Sequence, residues 1–457
     1  MPDFHEHAQT QHQSAGFANF LRARGHRGIV NVTLTVAALT AVVKAGSVFK
    51  ELVIAGRFGT SDDLDAFLIS VLVPSATITI IAGSFSAAFI PLYIRLRQHE
   101  GEKVAQNLLR EVMGWALPLL ALTTALIIAG APIYLPVIGS GFTIEKLHLT
   151  FVLLCLNAPI VMLSGMAVIW SAALNTEGHF ALSAISPLGI SILTILLLWL
   201  APSGRSFALI GGVVGGAAFE MFLLGLALRR KGFSLYPRWP RLSPNVRRLA
   251  RQYGPVMGGA IVMSGNSVID QAMAAMLPAG SVAVLSYGNR VVQFCIMLSA
   301  AALGTTLIPY FSRLAADRKW DELNRIVHRS LRLTLLLTVP LALLLFFCSE
   351  PLVNLLFRRG AFTASDAHTV GKVQAFYALQ IPSFIAGTIV VRLIQSIQAN
   401  RILLWVASIN LIMNISLNFL FMRWLGVAGI ALSTAVVFLF STTFCYFAAV
   451  KQMPRDS

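Results

Sequence analysis

The sequence predicts an all-α polytopic membrane protein of about twelve transmembrane helices. They are arranged as two six-helix lobes related by a pseudo-two-fold axis along the membrane normal. Three observations predict it. The 457 residues are 56% hydrophobic and only 12% charged, with a mean hydropathy of +0.75, against roughly 25% charged in soluble domains. Apolar runs of about 20 residues recur along the chain, the length that a ~30 Å hydrocarbon layer demands. They are continuous rather than alternating, which selects helices over a barrel. Finally, the second half repeats landmarks of the first.

The first 28 residues are polar, with Arg22, Arg24 and Arg27 preceding the first run. They read as a cytoplasmic tail without a removable signal peptide. The first lobe, 29–228, holds spans at about 29–56, 66–93, 112–137, 149–174, 180–201 and 206–228. A linker at 229–251, RRKGFSLYPRWPRLSPNVRRLAR, has three prolines, eight basic residues and no acid, so it is a lobe boundary. The second lobe, 252–450, holds spans at about 252–278, 283–311, 333–357, 373–398, 402–422 and 426–450. Residues 451–457 form a second cytoplasmic tail.

The repeat is carried by ordered landmarks. FIPLYIRL at 89–96 is echoed by LIPYFSRL at 307–314. Pro118 pairs with Pro340, Phe142-Thr143 with Phe362-Thr363, and Pro159 with Pro382. Each lobe has an even number of spans, so the two start on the same side, the parallel repeat seen in transporters. Small residues in span 2 (Gly83, Ser84, Ser86, Ala87, Ala88) and span 8 (Ala300, Ala301, Ala302, Gly304) permit close helix approach.

The net charge of +16 does not point to nucleic acid, because of where the charge lies. With the N-terminus inside, the cytoplasmic segments hold 24 Lys/Arg and the outer loops seven. The positive-inside rule then places both termini in the cytoplasm, with attraction to anionic membrane lipids as a secondary benefit. Cys155, Cys295, Cys348 and Cys445 all lie in apolar runs and have neither metal-ligand nor disulfide spacing. The sequence carries no Walker-type phosphate loop. No cofactor, metal site or catalytic residue is expected.

Few charges fall within the spans: Lys44, Lys50 and Glu51 in span 1, Glu220 in span 6, Asp270 in span 7, Arg290 in span 8 and Arg392 in span 10. An ionised group at bilayer depth costs about 3 kcal/mol on insertion scales, so it persists when paired or when it lines water. Lys50, Glu51, Asp270 and Arg290 all fall in the outer half, and the repeat offset sets Lys50 and Glu51 against Asp270. This pattern predicts a cationic cavity between lobes for an anionic substrate. Lys44, Lys50 and Arg290 would bind it, while Glu51 and Asp270 serve as charge partners or hold a coupling cation. The competing reading is snorkelling and structural ion pairing. Glu220, near the inner end of its span, fits snorkelling; Arg392 fits either role. Asn266, Asn414 and Asn418 read as structural hydrogen-bonding groups.

KAGSVFKELVIAGRFG followed by LDAF at 64–67 resembles the first-helix region of the MviN/MurJ family of lipid-linked-saccharide flippases. SFSAAFIP at 84–91, YGNRVVQF at 287–294, ALGTTLIP at 302–309, LLFRRGAFTASDA at 355–367 and LGVAGIAL at 425–432 continue the likeness in order, over roughly 30–450. The resemblance implies the fold of the multidrug, oligosaccharidyl-lipid and polysaccharide exporters. It places Lys44 and Lys50 at family arginines that bind the substrate diphosphate, and Arg290 at the family's span 8 arginine. Glu51 stands for a family Asp, Asp65 matches the acid of Asp-Ala-Phe at the start of span 2, and Asp270 matches an acidic or amide position. The chain departs from the family where VPSATITIIAGSF at 73–85 lacks an arginine pair and a glutamate. It departs again where Asn289 and Gln293 replace acids, and where twelve spans stand for the fourteen common in lipid II flippases.

The expected function is therefore a flippase in the bacterial inner membrane. It would carry a polyprenyl-diphosphate-linked saccharide, lipid II or a related cell-envelope or exopolysaccharide precursor, outward by alternating access. A glycan synthase is a possible partner. Two rivals remain. A cation-coupled multidrug exporter of the same fold would prefer an acidic, aromatic-lined cavity. A membrane glycosyltransferase or polymerase would want sizeable outer loops, and the longest here, about 358–372, has some fifteen residues.

Overall fold

In a computed structural model, residues 25–201, 205–238, 243–304, 307–399 and 401–452 are described. Most of the N-terminal tail (1–24), residues 239–242 of the linker and 453–457 of the C-terminal tail lie outside them. So do the side chains of Gly83, Ser84, Ala87, Ala300, Ala301, Ala302 and Gly304.

The described chain is helical throughout. In order the helices are α1 Gly25–Phe58, α2 Asp62–His99, α3 Glu102–Ile138, α4 Ile144–Asn157, α5 Pro159–Thr176, α6 Phe180–Ile185, α7 Leu188–Leu200, α8 Arg205–Arg230 and α9 Pro244–Ala274. They continue as α10 Ser281–Gly304, α11 Leu307–Ala316, α12 Trp320–Phe347, α13 Ser349–Phe357, α14 Ala364–Ala378, α15 Gln380–Ser396, α16 Arg401–Leu425 and α17 Val427–Gln452. Several expected spans are broken helices. A proline has no N–H to donate and crowds the preceding turn: α4 gives way to α5 at Pro159, and α6 to α7 at Pro187. The break between α14 and α15, at Leu379, comes just before Pro382.

Among the described residues, ten helical stretches are long and apolar enough to cross a membrane, against twelve expected spans. The side chains of residues 25–34 lie outside those described, and neither α1 nor α9, the helices that carry Lys44, Lys50, Glu51 and Asp270, is among the ten. Their 34 and 31 residues give lengths of about 51 and 46 Å at 1.5 Å per residue. Both are long enough to cross a ~30 Å hydrocarbon layer. Large apolar side chains point outward, among them Val42, Val48 and Phe49 of α1, Leu122, Leu126, Ile133 and Val137 of α3 and Leu333, Leu336 and Leu337 of α12. Such a surface is stable only against lipid.

Helices α1–α8 pack chiefly among themselves, with α5 against α2, α3 and α8, and α7 against α8. Helices α10–α17 do likewise, with α15 against α12 and α17, and α14 against α10 and α13. Between these groups α9 packs on α2, α3 and α16. A core including Phe89, Tyr93 and Leu153 on one side and Val282, Val353 and Ile381 on the other is continuous across them. A second core around Phe311, Leu323 and Ile389 fills one end of the latter group.

The basic segment after α8 is docked on α3. Arg238 donates its N–H to the Arg110 carbonyl at 3.1 Å, and Arg110 Nε donates to the Tyr236 carbonyl at 3.2 Å. Ser243 caps α9 and donates its hydroxyl to Glu111 at 2.6 Å. Gly114 makes this possible, because a Cβ there would sit 2.0 Å from the Arg238 carbonyl oxygen. Gly114→Ala is expected to destabilise the protein by about 1–3 kcal/mol, the usual range for overpacking, and to speed tryptic cleavage at the exposed Arg238. An unchanged melting temperature and cleavage rate would refute this docking.

Candidate substrate site

Near its C-terminus α1 buries Ile54, Ala55 and Phe58. Glu51, three and four residues before Ile54 and Ala55, lies on that inward face. Its side chain is 16% exposed, and the Lys50 side chain 18%. One Glu51 oxygen lies 3.3 Å from Lys50 Nζ; the other lies 3.2 Å from a guanidinium nitrogen of Arg290 on α10. One carboxylate thus holds two cations from opposite halves of the chain, and the triad keeps one net positive charge. Arg290 remains 45% exposed.

Lys50, Glu51 and Arg290 line a slot of about 220 Å³ between α1, α2, α5, α8 and α10. The buried Tyr287 and Asn157 line it too, and neither the Tyr287 hydroxyl nor Asn157 Oδ1 has a partner among the described residues. Tyr287 is fixed by the rings of Phe357 and Phe362, at centroid distances of 5.5 and 5.7 Å.

Beside the slot, and sharing Ser75, Ser286 and Arg290 with it, lies a cavity of about 1140 Å³ formed mainly by α9, α10 and α14–α17. Asp270 is in its wall. Its Oδ1 accepts from Asn414 at 3.1 Å and Asn418 at 2.8 Å, and its Oδ2 accepts from Thr434 at 3.4 Å. Asp270 therefore does not face Lys50 across the halves. Its partners are amides and a hydroxyl of its own half, because α9 turns it toward α16 and α17. Asn414 and Asn418 do hydrogen-bond inside the bundle, and what they bind is this carboxylate. Arg392 lines the same cavity and donates to Gln395 at 3.0 Å. Lys44 is exposed on α1 and lines neither space. Glu220 accepts from the Ser186 hydroxyl at 3.1 Å instead of extending freely.

Asp65 lies elsewhere again, at the end of the bundle formed by the α1–α2 turn. It is 1% exposed. It accepts the backbone N–H groups of Gly280 and Ala283, each at 2.8 Å, so an acid of α2 caps the N-terminus of α10, where the helix dipole favours negative charge. Lys146 pairs with Asp65 at 3.2 Å and also with Asp62, its ammonium lying 3.9 Å from the centre of the Phe142 ring. Next to this cap Ala361 N–H donates to the Gly56 carbonyl at 2.8 Å, and the Thr60 hydroxyl donates to Asp366, which also completes the capping box of α14. Gly280 has φ +85°, and a Cβ there would meet the Thr60 carbonyl oxygen at 2.3 Å. These contacts join α1, α2, α10 and α14 at this end of the bundle, next to the slot.

Of the residues singled out in the sequence, the structure brings together Lys50, Glu51 and Arg290. Asp270 and Arg392 belong to the adjoining cavity, Asp65 to the closure, and Lys44 to none of these. Sequence reasoning did not find Tyr287, Asn157 or Lys146. The only signal for Lys146 was a lone Lys/Arg in the short outer segment between the third and fourth apolar runs, beside Glu145.

A family model described as "Lipid II flippase MurJ" matches residues 54–456. A probable lipid II flippase MurJ of Rhizobium tropici is 28% identical over 418 residues, covering 89% of this chain and 78% of that protein. A lipid II flippase MurJ of Burkholderia cenocepacia is 27% identical over 416 residues, covering 88% and 80%. Among solved structures, a lipid II flippase MurJ in an inward closed conformation aligns with TM-score 0.78 at 22% identity, over 92% of this chain and 88% of that one. An inward-facing multidrug resistance MATE family transporter of the MOP superfamily aligns with TM-score 0.71 at 13% identity, over 92% and 98%. At these identities the structural matches establish the fold.

If the Asp65 cap and the tight Gly280–Thr60 approach hold this end shut, Asp65→Asn and Gly280→Ala should each open it. Each charged hydrogen bond lost is worth about 1.5–3 kcal/mol. Labelling of a cysteine at Ser286, in a background without the four native cysteines, should rise at least about tenfold for a membrane-impermeant reagent applied to the α1–α2 side. Labelling unchanged in both variants would show that other contacts keep the end closed.

Proposed function

The chain belongs to the lipid II flippase MurJ family, whose model spans residues 54–456, and from that premise we propose that it flips a polyprenyl-diphosphate-linked saccharide across the bacterial inner membrane. The cargo is lipid II, the substrate in the descriptions of its relatives, or a closely related envelope precursor. The observation that carries this reading is the slot in which Lys50 and Arg290, one from each half, share Glu51 and keep a net positive charge. A diphosphate, with a negative charge on each phosphorus, is the complementary ligand. Lys50 and Arg290 bind it, and Glu51 keeps them paired when it is gone. Lysine meets phosphate as a point charge, whereas Arg290 offers the planar fork that grips two oxygens. Lys44, exposed on the same helix, fits an approach role for the anion.

The lobes 29–228 and 252–450 rock against each other about this slot, with both termini in the cytoplasm and the α1–α2 turn facing out. The Asp65 cap is then the outer closure, broken once per cycle. The isoprenoid tail stays in lipid and no covalent bond changes. Asp270 with Asn414, Asn418 and Thr434 offers a carboxylate, two amides and a hydroxyl. This hard-oxygen set fits a coupling cation such as Na⁺, once the amides, whose O and N ends are assigned and interchangeable, turn their oxygens inward. The drug-exporter alternative is disfavoured, because the slot's surplus charge is positive and would repel a cationic drug.

Two experiments test this. Depletion of the protein followed by mass spectrometry of polyprenyl lipids should show one diphosphate-linked glycan accumulating on the cytoplasmic side, and its mass identifies the cargo. No change in any such lipid, with no second flippase present, removes the reading. Lys50→Glu and Arg290→Glu, each of which turns the slot's net charge negative, should each lower flipping by at least about tenfold, since a charge-assisted hydrogen bond lost costs about 1.5–3 kcal/mol. Flipping that survives both reversals would exclude the slot. For Asp270→Asn, transport in proteoliposomes should lose its dependence on an imposed Na⁺ gradient. A dependence that persists would exclude Asp270 as the ion ligand.

A further inference from the structure

Glu220 is the span carboxylate with the fewest partners. Two cations satisfy Glu51, and two amides and a hydroxyl engage Asp270. Glu220 has the Ser186 hydroxyl at 3.1 Å, and among the described residues no cation pairs with it. It precedes Arg230, the last residue of α8, by about 15 Å of helix. A lone ionised acid at such depth is costly.

Close helix packing fixes the contact. A Cβ at Gly216, one turn before Glu220, would sit 2.3 Å from Ile190 Cα, and one at Gly212 would sit 2.4 Å from Thr194 Cα. So α8 lies backbone to backbone on α7. This sets Glu220 against Ser186, where α6 gives way to α7 at Pro187. Ser186 is 2% exposed, so its hydroxyl bonds within the protein. The hydroxyl oxygen is 3.1 Å from Glu220 and 3.4 Å from the Ser183 carbonyl oxygen, and its single hydrogen serves one of them at a time. Pro187, four residues after Ser183, has no N–H to give that carbonyl. With Glu220 ionised, the hydrogen goes to the carboxylate and the carbonyl loses it. With Glu220 protonated, the acid donates to Ser186 and Ser186 donates to Ser183. The row is then complete, and no charge stands in apolar surroundings.

The neighbouring elements supply no counter-charge. Helices α5, α6 and α7 carry no ionisable side chain. Of the other helices touching α8, α4 carries Glu145, Lys146 and His148 near the Asp65 end of the bundle, and Cys155 beyond them. Helix α2 carries Asp62, Asp63 and Asp65 at that end; in its last turns it carries Tyr93, Arg95, Arg97 and His99, with Arg97 committed to Glu177 at 2.8 Å. His179 precedes α6. Lys44 of α1 and Arg229 and Arg230 of α8 are exposed.

We infer that Glu220 is a proton-binding site and that α1 senses its occupancy. Leu188, two residues after Ser186, packs so tightly on α1 that a Cβ at Gly46 would meet its Cδ1 at 2.5 Å. Gly46 is one turn before Lys50. Loss of the proton takes the Ser186 hydrogen from the Ser183 carbonyl and draws the charged acid toward water, so the α6–α7 break shifts against α1. The proton site stands by itself; its effect on transport rests on the flippase reading above.

The site is tested with dicyclohexylcarbodiimide, which modifies protonated carboxyl groups in apolar surroundings, on the full-length protein in nanodiscs. Mass spectrometry at neutral pH should find the adduct on Glu220 at least about tenfold above that on the exposed Glu102. No excess on Glu220 overturns the site, and this measurement needs no variant. The link is tested in proteoliposomes at fixed voltage, without a Na⁺ gradient and with equal pH on both sides. Flipping should fall at least about threefold as pH rises through the neutral range, while Glu220→Gln, which keeps the shape of the neutral acid, stays level. Wild-type flipping that stays level, or a variant that falls with it, overturns the link to α1. Wild-type protein that is labelled at Glu220 but flips no diphosphate lipid removes the flippase reading and the link, and leaves the proton site standing.

Discussion

A carboxylate buried as deeply as Asp65 needs donors, and here they come from both halves of the chain. The Gly280 and Ala283 amides belong to α10, while Lys146 is anchored beside α2 at the start of α4. That single set of bonds fixes the register of α2 against α10. It seats Gly280 against Thr60, which in turn engages Asp366. With the two helices held at this end, Arg290, ten residues along α10 from Gly280, comes within reach of Glu51 on α1. The slot and its closure are thus parts of one arrangement. In the rocking motion proposed above, the α10 amides would leave with their half and Lys146 would stay with Asp65, so the acid would keep a counter-charge.

The other charges obey the same constraint in a different way. Glu51 is satisfied by cations, Asp270 by neutral amides and a hydroxyl. The first arrangement leaves surplus positive charge facing a void. The second leaves a carboxylate that is hydrogen-bonded but not neutralised. One therefore suits a polyanionic ligand, the other a small cation, and the two are separated by a cavity wall rather than by open bilayer. Of the remaining span charges, Glu220 leans on Ser186 and Arg392 on Gln395, while Lys44 is exposed on α1.

Much of this was legible in the sequence because ions stand out in apolar runs. Lys50, Glu51 and Arg290 could be nominated together from depth alone, whereas Pro159 and Pro382, read only as landmarks of the repeat, lie at breaks in spans expected to be continuous. What depth and spacing do not carry is direction. Asp270 falls at the level of Lys50 yet points into its own half, which depends on how α9 rotates against α16 and α17. Lys44 was nominated with Lys50, but six residues on a helix is about 240°, enough to remove it from the slot. Asp65 was matched by resemblance to a motif, but its capping of α10 joins residues 215 apart in sequence, and no local pattern encodes that. Among the amides of the larger cavity, Asn266 and Asn414 were read as structural groups and Gln271, Gln380 and Asn410 were not singled out, for a further reason. Asn and Gln are common on helices, and only the failure of their partners to appear in three dimensions sets these apart.

The odd charge of the slot has an electrical consequence. Lys50, Glu51 and Arg290 sum to one positive charge; adding a diphosphate makes the sum negative. A moving charge exchanges about 2.3 kcal/mol with each 100 mV of transmembrane voltage. With the cytoplasm negative and the slot oriented as proposed, the loaded carrier is driven outward and the empty one is drawn back. Both strokes then run downhill in the same field, and the reversal of sign is set by one glutamate that neutralises only one of its two neighbours.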